Sequence, residues 1–170
     1  MVNTELIILG MIYLQPSHGY LLKKNVQNYF GNPNFKLNNN ILYSTLKKLE
    51  ENSLILGKET TNQKINKKVY HITDNGKKHL IKLVATPAKP DIEDFDFKIK
   101  AVFFDLIPKK TRIKTIKPLY EAKLDMLQEA KNKKEEYGSH MTSVSFTVLE
   151  YGIKELEVSI EFYEKLMNLK

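Results

Sequence analysis

Residues 38–55, NNNILYSTLKKLEENSLI, constrain the chain more than any other stretch, because they read as one helix running into a strand. Leu42, Leu46 and Leu49 recur at intervals of four and three residues, with Ile41 and Thr45 beside them, so one helix face is apolar. Asn40, Tyr43, Ser44 and Lys47 are spaced three, one and three apart and gather on the opposite face. Asn38 is placed to cap the start, its side-chain oxygen accepting a bond from a free backbone N–H. Lys47 and Lys48 fall in the later turns, where the helix dipole favours cations. A helix with an aliphatic back and a front of amides, hydroxyls and ammonium groups suits a nucleic-acid groove. An ordinary solvated face carries the same pattern.

Charge separates the two readings. Net charge is +7, and residues 1–85 hold twelve lysines against five acidic residues, while residues 86–170 hold fifteen basic and fifteen acidic. The whole excess therefore lies in the half that contains the amphipathic helix, as expected where that half meets a polyanion. Arg112 is the single arginine, and it lies in the neutral half. The basic half thus has no guanidinium fork for bidentate reading of guanine, and its Asn, Ser, Tyr and Lys would have to read sequence.

Hydrophobic residues at 42% and charged residues at 28% are ordinary for a soluble globular chain, and 170 residues allow one large domain or two small ones. The absence of cysteine excludes disulfides and thiolate chemistry and fits a reducing cytoplasm. The apolar run from Leu6 to Leu14 is too short to span a bilayer, and Glu5 rather than a basic residue precedes it, so neither membrane insertion nor secretion is expected. A cytoplasmic protein with no membrane partner is the expectation.

In chain order, Thr4 is expected to cap a first helix at 5–13, and Gln15-Pro16-Ser17 to break it, with Ser17 capping a second at 18–30. That second helix would turn Tyr20, Leu21, Val26, Tyr29 and Phe30 inward and Lys23, Lys24 and Gln27 outward. Residues 31–34 form a turn by composition. After the helix at 38–51 come short strands at 54–56 and 68–72, joined by about ten polar residues whose lysines are Lys58, Lys64 and Lys67. A fourth helix is expected at 75–84. Three helices followed by a hairpin with a basic tip describe a winged helix-turn-helix, whose third helix enters the major groove while the hairpin reaches phosphates or the minor groove.

Three stretches in this order, ILGMIYLQPSHGYLLKK from Ile8, ILYSTLKKLEENSLI from Ile41 and KKVYHITDNGKKHL from Lys67, resemble successive signatures of the PadR family of transcriptional regulators. The resemblance covers roughly the first half of the chain. It implies that Tyr43, with Ser44 and Lys47 around it, faces DNA, and that the hairpin lysines meet phosphate. Two positions depart from the family pattern: Ser53 stands where glycine is usual, so Asn52 is expected to take the left-handed turn, and Ser44 stands where proline is frequent.

Thr86-Pro87-Ala88-Lys89-Pro90-Asp91 reads as a linker. Beyond it, Phe95, Phe97, Ile99 and Ala101 alternate as in a strand, whereas Phe95, Ile99, Val102, Phe103 and Leu106 fit a helix; the family places a helix here. Residues 109–137 read as helical, with a kink or restart expected at Pro118. The last helix has Phe146, Leu149, Ile153, Leu156, Ile160, Tyr163 and Met167 three and four residues apart for three heptads. This seam packs either on the 109–137 helix of the same chain or on its twin in a second chain, and the resemblance favours dimerisation. The family often carries tryptophan near this helix end; here Phe162 stands nearest.

The organisation expected is thus a mainly α chain with a small β-hairpin: a winged-helix DNA-binding domain at 1–85, a linker at 86–93 and a C-terminal helical dimerisation domain at 94–170. Candidate DNA contacts are Asn38, Asn39, Asn40, Tyr43, Ser44 and Lys47 on the third helix, Lys64, Lys67 and Lys68 on the wing, and Lys23 and Lys24 on the second helix. The expected partners are a double-stranded, A·T-rich operator with an inverted repeat, a second copy of the chain, and a small aromatic or cationic effector lined by Phe95, Ile99 and Phe103. Repression is the expected output. His18 reads as a packed first-turn residue rather than a ligand, and His71, His79 and His140 show neither ligand spacing nor an acidic partner. No cofactor or metal is called for, and no paired carboxylates, phosphate loop or nucleophile–base spacing suggests an enzyme. The rival from another class is a winged-helix module that binds proteins and has lost its affinity for DNA.

Overall fold

Helix α1 (Thr4–Leu14) is apolar all round, and Leu6 to Ile12 are all buried, as a helix without a polar face must be. Its cap is Asn3, whose side chain accepts from Leu6 N at 3.0 Å, so Thr4 is the first helical residue rather than the cap. The computed structural model describes residues 3–30, 36–62, 65–89 and 94–170. Around α1 lie α2 (Gly19–Phe30), α3 (Asn39–Glu51), α4 (Asp74–Ala85) and the sheet strand β3 (Ile65–Ile72). Leu22 and Val26 of α2, Leu42, Leu46 and Leu49 of α3, and Leu80 and Val84 of α4 fill the spaces between them.

The second helix starts one residue later than expected. Ser17 and His18 form a short strand, β1, antiparallel to β3 with Ser17 opposite Tyr70 and His18 opposite Val69. Ser17 turns its hydroxyl back to the Gln15 carbonyl, and the helix start is met instead by His18 Nδ1, which accepts from Leu21 N at 3.3 Å. Strand β2 (Ile55–Asn62) pairs antiparallel with β3 from Ile55–Ile72 to Asn62–Ile65, giving a three-stranded sheet in the order β1-β3-β2. The polar segment expected to be a loop from 57 to 66 is therefore mostly ladder. Cross-strand backbone bonds hold it where side-chain hydrophobicity is weak. Thr73 caps α4 by accepting from Gly76 N.

Between α3 and β2 the chain turns in a Schellman arrangement. Leu54 N donates to Leu49 O and Ser53 N to Glu50 O, both at 2.9 Å. Ser53 itself takes the left-handed conformation, with φ 56°, while Asn52 stays at φ −83°, contrary to the expectation for Asn52. The bond pattern dictates which residue must reverse, and it selects the position after the cap whatever occupies it.

Two compact units divide the chain, Met1–Thr86 with Glu93–Ile107, and Pro87–Ile92 with Pro108–Lys170. This differs from the boundaries read from the sequence. Helix α5 (Asp94–Ala101) and the 3-10 turn Phe104–Leu106 pack into the first unit, and the helical alternative for this stretch holds. The Phe103 ring lies against Gly10 and 6.4 Å from the Phe30 ring, and Phe97 meets Phe104 edge-on at 5.9 Å. The linker in turn is tied into the second unit by Ala88 N, which donates to Thr115 O at 3.1 Å.

The second unit is an antiparallel helix pair, α6 (Lys109–Tyr137) and α7 (Ser143–Asn168). Lys134–Glu150 at 2.7 Å, Lys131–Glu157 at 2.9 Å and the Tyr120–Glu164 bond at 2.8 Å lace them together. Arg112 is buried and donates to the Leu169 carbonyl at the end of α7, where a cation complements the helix dipole. Pro118 lies inside α6 and does not restart it; the long pairing with α7 outweighs one lost backbone bond. Ile153, Ile160 and Tyr163 are buried, and Phe146, Leu149, Leu156 and Met167 are half-buried. With α6 lying along α7, the heptad seam takes the intrachain alternative. Among the described residues no helix is long and apolar enough to cross a membrane.

Candidate nucleic-acid interface

Helix α3 carries its polar front as the sequence spacing requires. Asn40, Tyr43, Ser44 and Lys47 are all exposed, while Leu42, Leu46 and Leu49 are each 1% exposed on the other side. Not all of the six candidate residues on this helix are equally free. Asn38 caps α3, its Oδ1 accepting from Ile41 N at 2.8 Å. Asn39 Oδ1 accepts from Lys23 Nζ at 2.7 Å, which couples α2 to the start of α3. Ser44 donates its hydroxyl to the Ile41 carbonyl at 3.1 Å. Lys47 makes only a loose 3.8 Å pair with Glu51, with both side chains well exposed, and such pairs are easily exchanged for another anion. Tyr43 is 52% exposed and lays its ring beside Gly19 at the start of α2.

The wing lysines divide. Lys67 and Lys68 are both exposed, Lys64 lies outside the described residues, and Lys68 is engaged in an ion pair. Lys68 Nζ lies 2.8 Å from Glu50 Oε2, and the other carboxylate oxygen of Glu50 accepts from Gly57 N at 3.1 Å. The Lys68 hydrogen bond holds the Glu50 carboxyl below its ordinary value, and Glu50 in turn raises the Lys68 ammonium. Lys68 also lies 5.6 Å from the Tyr70 ring centroid, and burial pushes the Tyr70 phenol up. Lys24 is exposed on α2 and Lys23 is half-buried under its bond to Asn39.

Sequence reasoning missed three features. Tyr20 and Tyr29, expected in the core, are 74% and 65% exposed; Gly19, Leu22, Val26 and Phe30 make the buried face of α2 instead. The Tyr20 ring stacks 6.4 Å from His18. His79 does have an acidic partner, Glu5 on α1, at 2.8 Å. A pair separated by seventy-four residues leaves no local pattern to read. Glu50 is the third. Its position in the last turn of α3 is visible in the sequence, but its partners on two strands are not.

Two of the three residues named for an effector site are buried. Ile99 and Phe103 are each 2% exposed within the first unit, and Phe95 is half-buried. Among the described residues no group of His, Asp or Glu could hold a metal ion.

Residues 8–82 match the profile of the Transcriptional regulator PadR-like family. No curated protein matches the chain. Among solved structures, it is similar to Bacillus subtilis PadR in complex with operator DNA, at 19% identity over 98% of this chain and 97% of that one, with a TM-score of 0.46. It is similar to the PadR-like transcriptional regulator BC1756 from Bacillus cereus at 26% identity, covering 98% of this chain and 95% of that one, with a TM-score of 0.43. The putative transcriptional regulator TA0346 from Thermoplasma acidophilum is 33% identical over 46% of this chain and 71% of that one, with a TM-score of 0.40.

Proposed function

From the match of residues 8–82 to the PadR-like family of transcriptional regulators, we propose that the chain is a regulator of that family and binds double-stranded DNA as a homodimeric repressor. The observation that carries the reading is the front of α3. Asn40, Tyr43, Ser44 and Lys47 stand exposed on a helix whose back is locked into the core, and the chain's positive excess lies in the same half. In this reading α3 enters a major groove, Tyr43 and Asn40 meet base edges, and Lys47, Lys24 and Lys67 meet phosphate. Asn38, Asn39 and Lys23 act behind them, shaping the helix start.

The operator is an inverted repeat with half-sites about one helical turn apart, as a twofold pair of recognition helices requires. It is A·T-rich, because amides pair with adenine and this half of the chain offers no arginine for guanine. The dimer uses the face of α7 that α6 leaves uncovered. Val144, Val148, Tyr151 and Val158 recur at four, three and seven residues and are 74%, 66%, 62% and 65% exposed. A small aromatic or cationic effector releases the DNA by changing the geometry of the dimer. Buried as they are, Ile99 and Phe103 would line its site only after repacking.

Gel-shift of the DNA upstream of the chain's own gene, followed by selection from a random-sequence pool, tests the reading. Specific binding should weaken with salt at a log–log slope of about −0.9 for each phosphate contacted. Equal affinity for every duplex, or binding indifferent to salt, would leave the protein-binding winged helix in its place. A G·C-rich selected site would remove the operator assignment, and titration with phenolics and cationic drugs while following DNA affinity tests the effector.

A further inference from the structure

One carboxylate ties three elements of the first unit together. Glu50 lies in the last turn of α3; its Oε1 accepts from Gly57 N on β2 at 3.1 Å and its Oε2 from Lys68 Nζ on β3 at 2.8 Å. β2 is an edge strand, so an outward N–H such as that of Gly57 needs a partner beyond the sheet. Gly57 also leaves the room this contact needs. A Cβ there would stand 2.0 Å from Lys68 Cε and 2.8 Å from Glu50 Oε1, so any side chain at 57 would displace the Lys68 stem or the Glu50 carboxylate from this contact. Adjacent lysines on β3 consequently have different fates, because neighbouring residues on a strand point to opposite faces. Both are exposed, but Lys68 is bonded to Glu50 at the end of α3, on the face opposite Lys67.

We propose that Glu50 positions the wing and sets its specificity: it withholds Lys68 from phosphate and holds the β2–β3 hairpin at one angle to the recognition helix. The proposal rests on the DNA-binding reading for its consequence and on the Glu50–Gly57–Lys68 geometry for its existence. An exposed ion pair alone holds little. Here the same carboxylate also takes a backbone N–H, which references the strand itself, rather than a mobile side chain, to the end of α3. With the angle held, Lys67 reaches the duplex at one place relative to the bases read by α3. With it released, the wing would find phosphate on any sequence.

The test uses the full chain and the variants E50Q, E50A and K68M. Without DNA, Gly57 amide exchange in E50A should run about tenfold faster than in wild type, the loss of roughly one hydrogen bond of protection. With the selected operator, K68M should keep the wild-type salt slope, because Lys68 releases no counterion. E50Q frees the ammonium and should steepen the slope by about 0.9, while the ratio of operator to scrambled-duplex affinity falls. A K68M slope shallower by about 0.9 would make Lys68 an ordinary phosphate contact and overturn the proposal. So would an E50Q protein with wild-type slope and wild-type discrimination, or an unchanged Gly57 exchange rate in E50A. If the wild-type chain binds no duplex, the regulator reading fails and the specificity role falls with it, while Gly57 exchange still decides whether the latch exists.

Discussion

The Tyr43 ring closes over Gly19: a Cβ on Gly19 would stand 2.9 Å from Tyr43 Cε1 and 2.9 Å from its hydroxyl oxygen. The start of α2 thus sets where the phenol on the front of α3 can lie. Gly19→Ala must push the ring aside, and because Tyr43 is half exposed the ring can yield without unfolding the domain. Operator affinity should fall roughly tenfold, the low end of what a good base contact contributes, with little change in melting temperature. Unaltered affinity in a well-folded G19A protein would mean that Tyr43 does not touch the duplex.

Tyr43 and Lys47 should fail in different ways. Lys47→Ala removes one ammonium, so the salt slope should become shallower by about 0.9 and affinity for operator and scrambled duplexes should drop together. Tyr43→Ala should leave the slope alone and lower only the operator. Fluorescence anisotropy across a salt series on both duplexes separates the two. Identical behaviour of the two variants would contradict the division into base-reading and phosphate-holding residues.

Lys100 gives the first unit a pH dependence of known sign. It is 7% exposed, its Nζ donates to the Thr86 carbonyl, and burial pushes its ammonium down to about 8. Above that value the folded chain gives up the proton, while an unfolded lysine holds it to its ordinary 10.5. The unfolded state then binds more protons, so stability contributed here rises with pH between the two values, by at most about 3 kcal/mol. Urea denaturation at pH 7 and pH 10.5 should show this rise in wild type and a smaller one in K100M. Parallel profiles would count against a perturbed Lys100.

Ser53 spends backbone energy that glycine would not. It is left-handed at φ 56°, in a turn that the Leu54–Leu49 and Ser53–Glu50 bonds impose. Ser53→Gly should raise stability by about 1 kcal/mol, the cost of a left-handed conformation less the entropy glycine adds to the unfolded chain. Denaturant titration reads it directly. A destabilised S53G protein would show that the serine side chain contributes more than its backbone costs.

The exposed α7 face gives a test of assembly. Val148→Asp and Val158→Asp place a charge on positions that α6 does not cover, so each should convert a dimer to a monomer and leave helix content unchanged. Leu156→Ala, within the intrachain seam, should instead lower stability with less effect on mass. Sedimentation at micromolar protein decides between these outcomes. A wild-type monomer would remove the twofold operator with the dimer.

Periodicity and charge carried a large part of this protein into view without coordinates. The apolar back and polar front of α3, the Asn38 cap, the strand-helix order of the wing and the heptads of α7 are local patterns, set by residues within a turn or two of each other. The positive excess of the first half, which comes from its few acidic residues, is likewise a property of composition. Partnership is not local, and there only the tertiary structure decides. Lys67 and Lys68 are alike in the sequence, and a carboxylate eighteen residues away engages one of them. Tyr20 and Tyr29 look like core until Leu22 and Val26 have filled it. Residues 94–107 lie beyond a proline-rich stretch and yet join the first unit, because Phe103 finds its place against Gly10 and Phe30. Hydrophobic pattern tells a side chain that it must be buried, and long-range packing tells it against what.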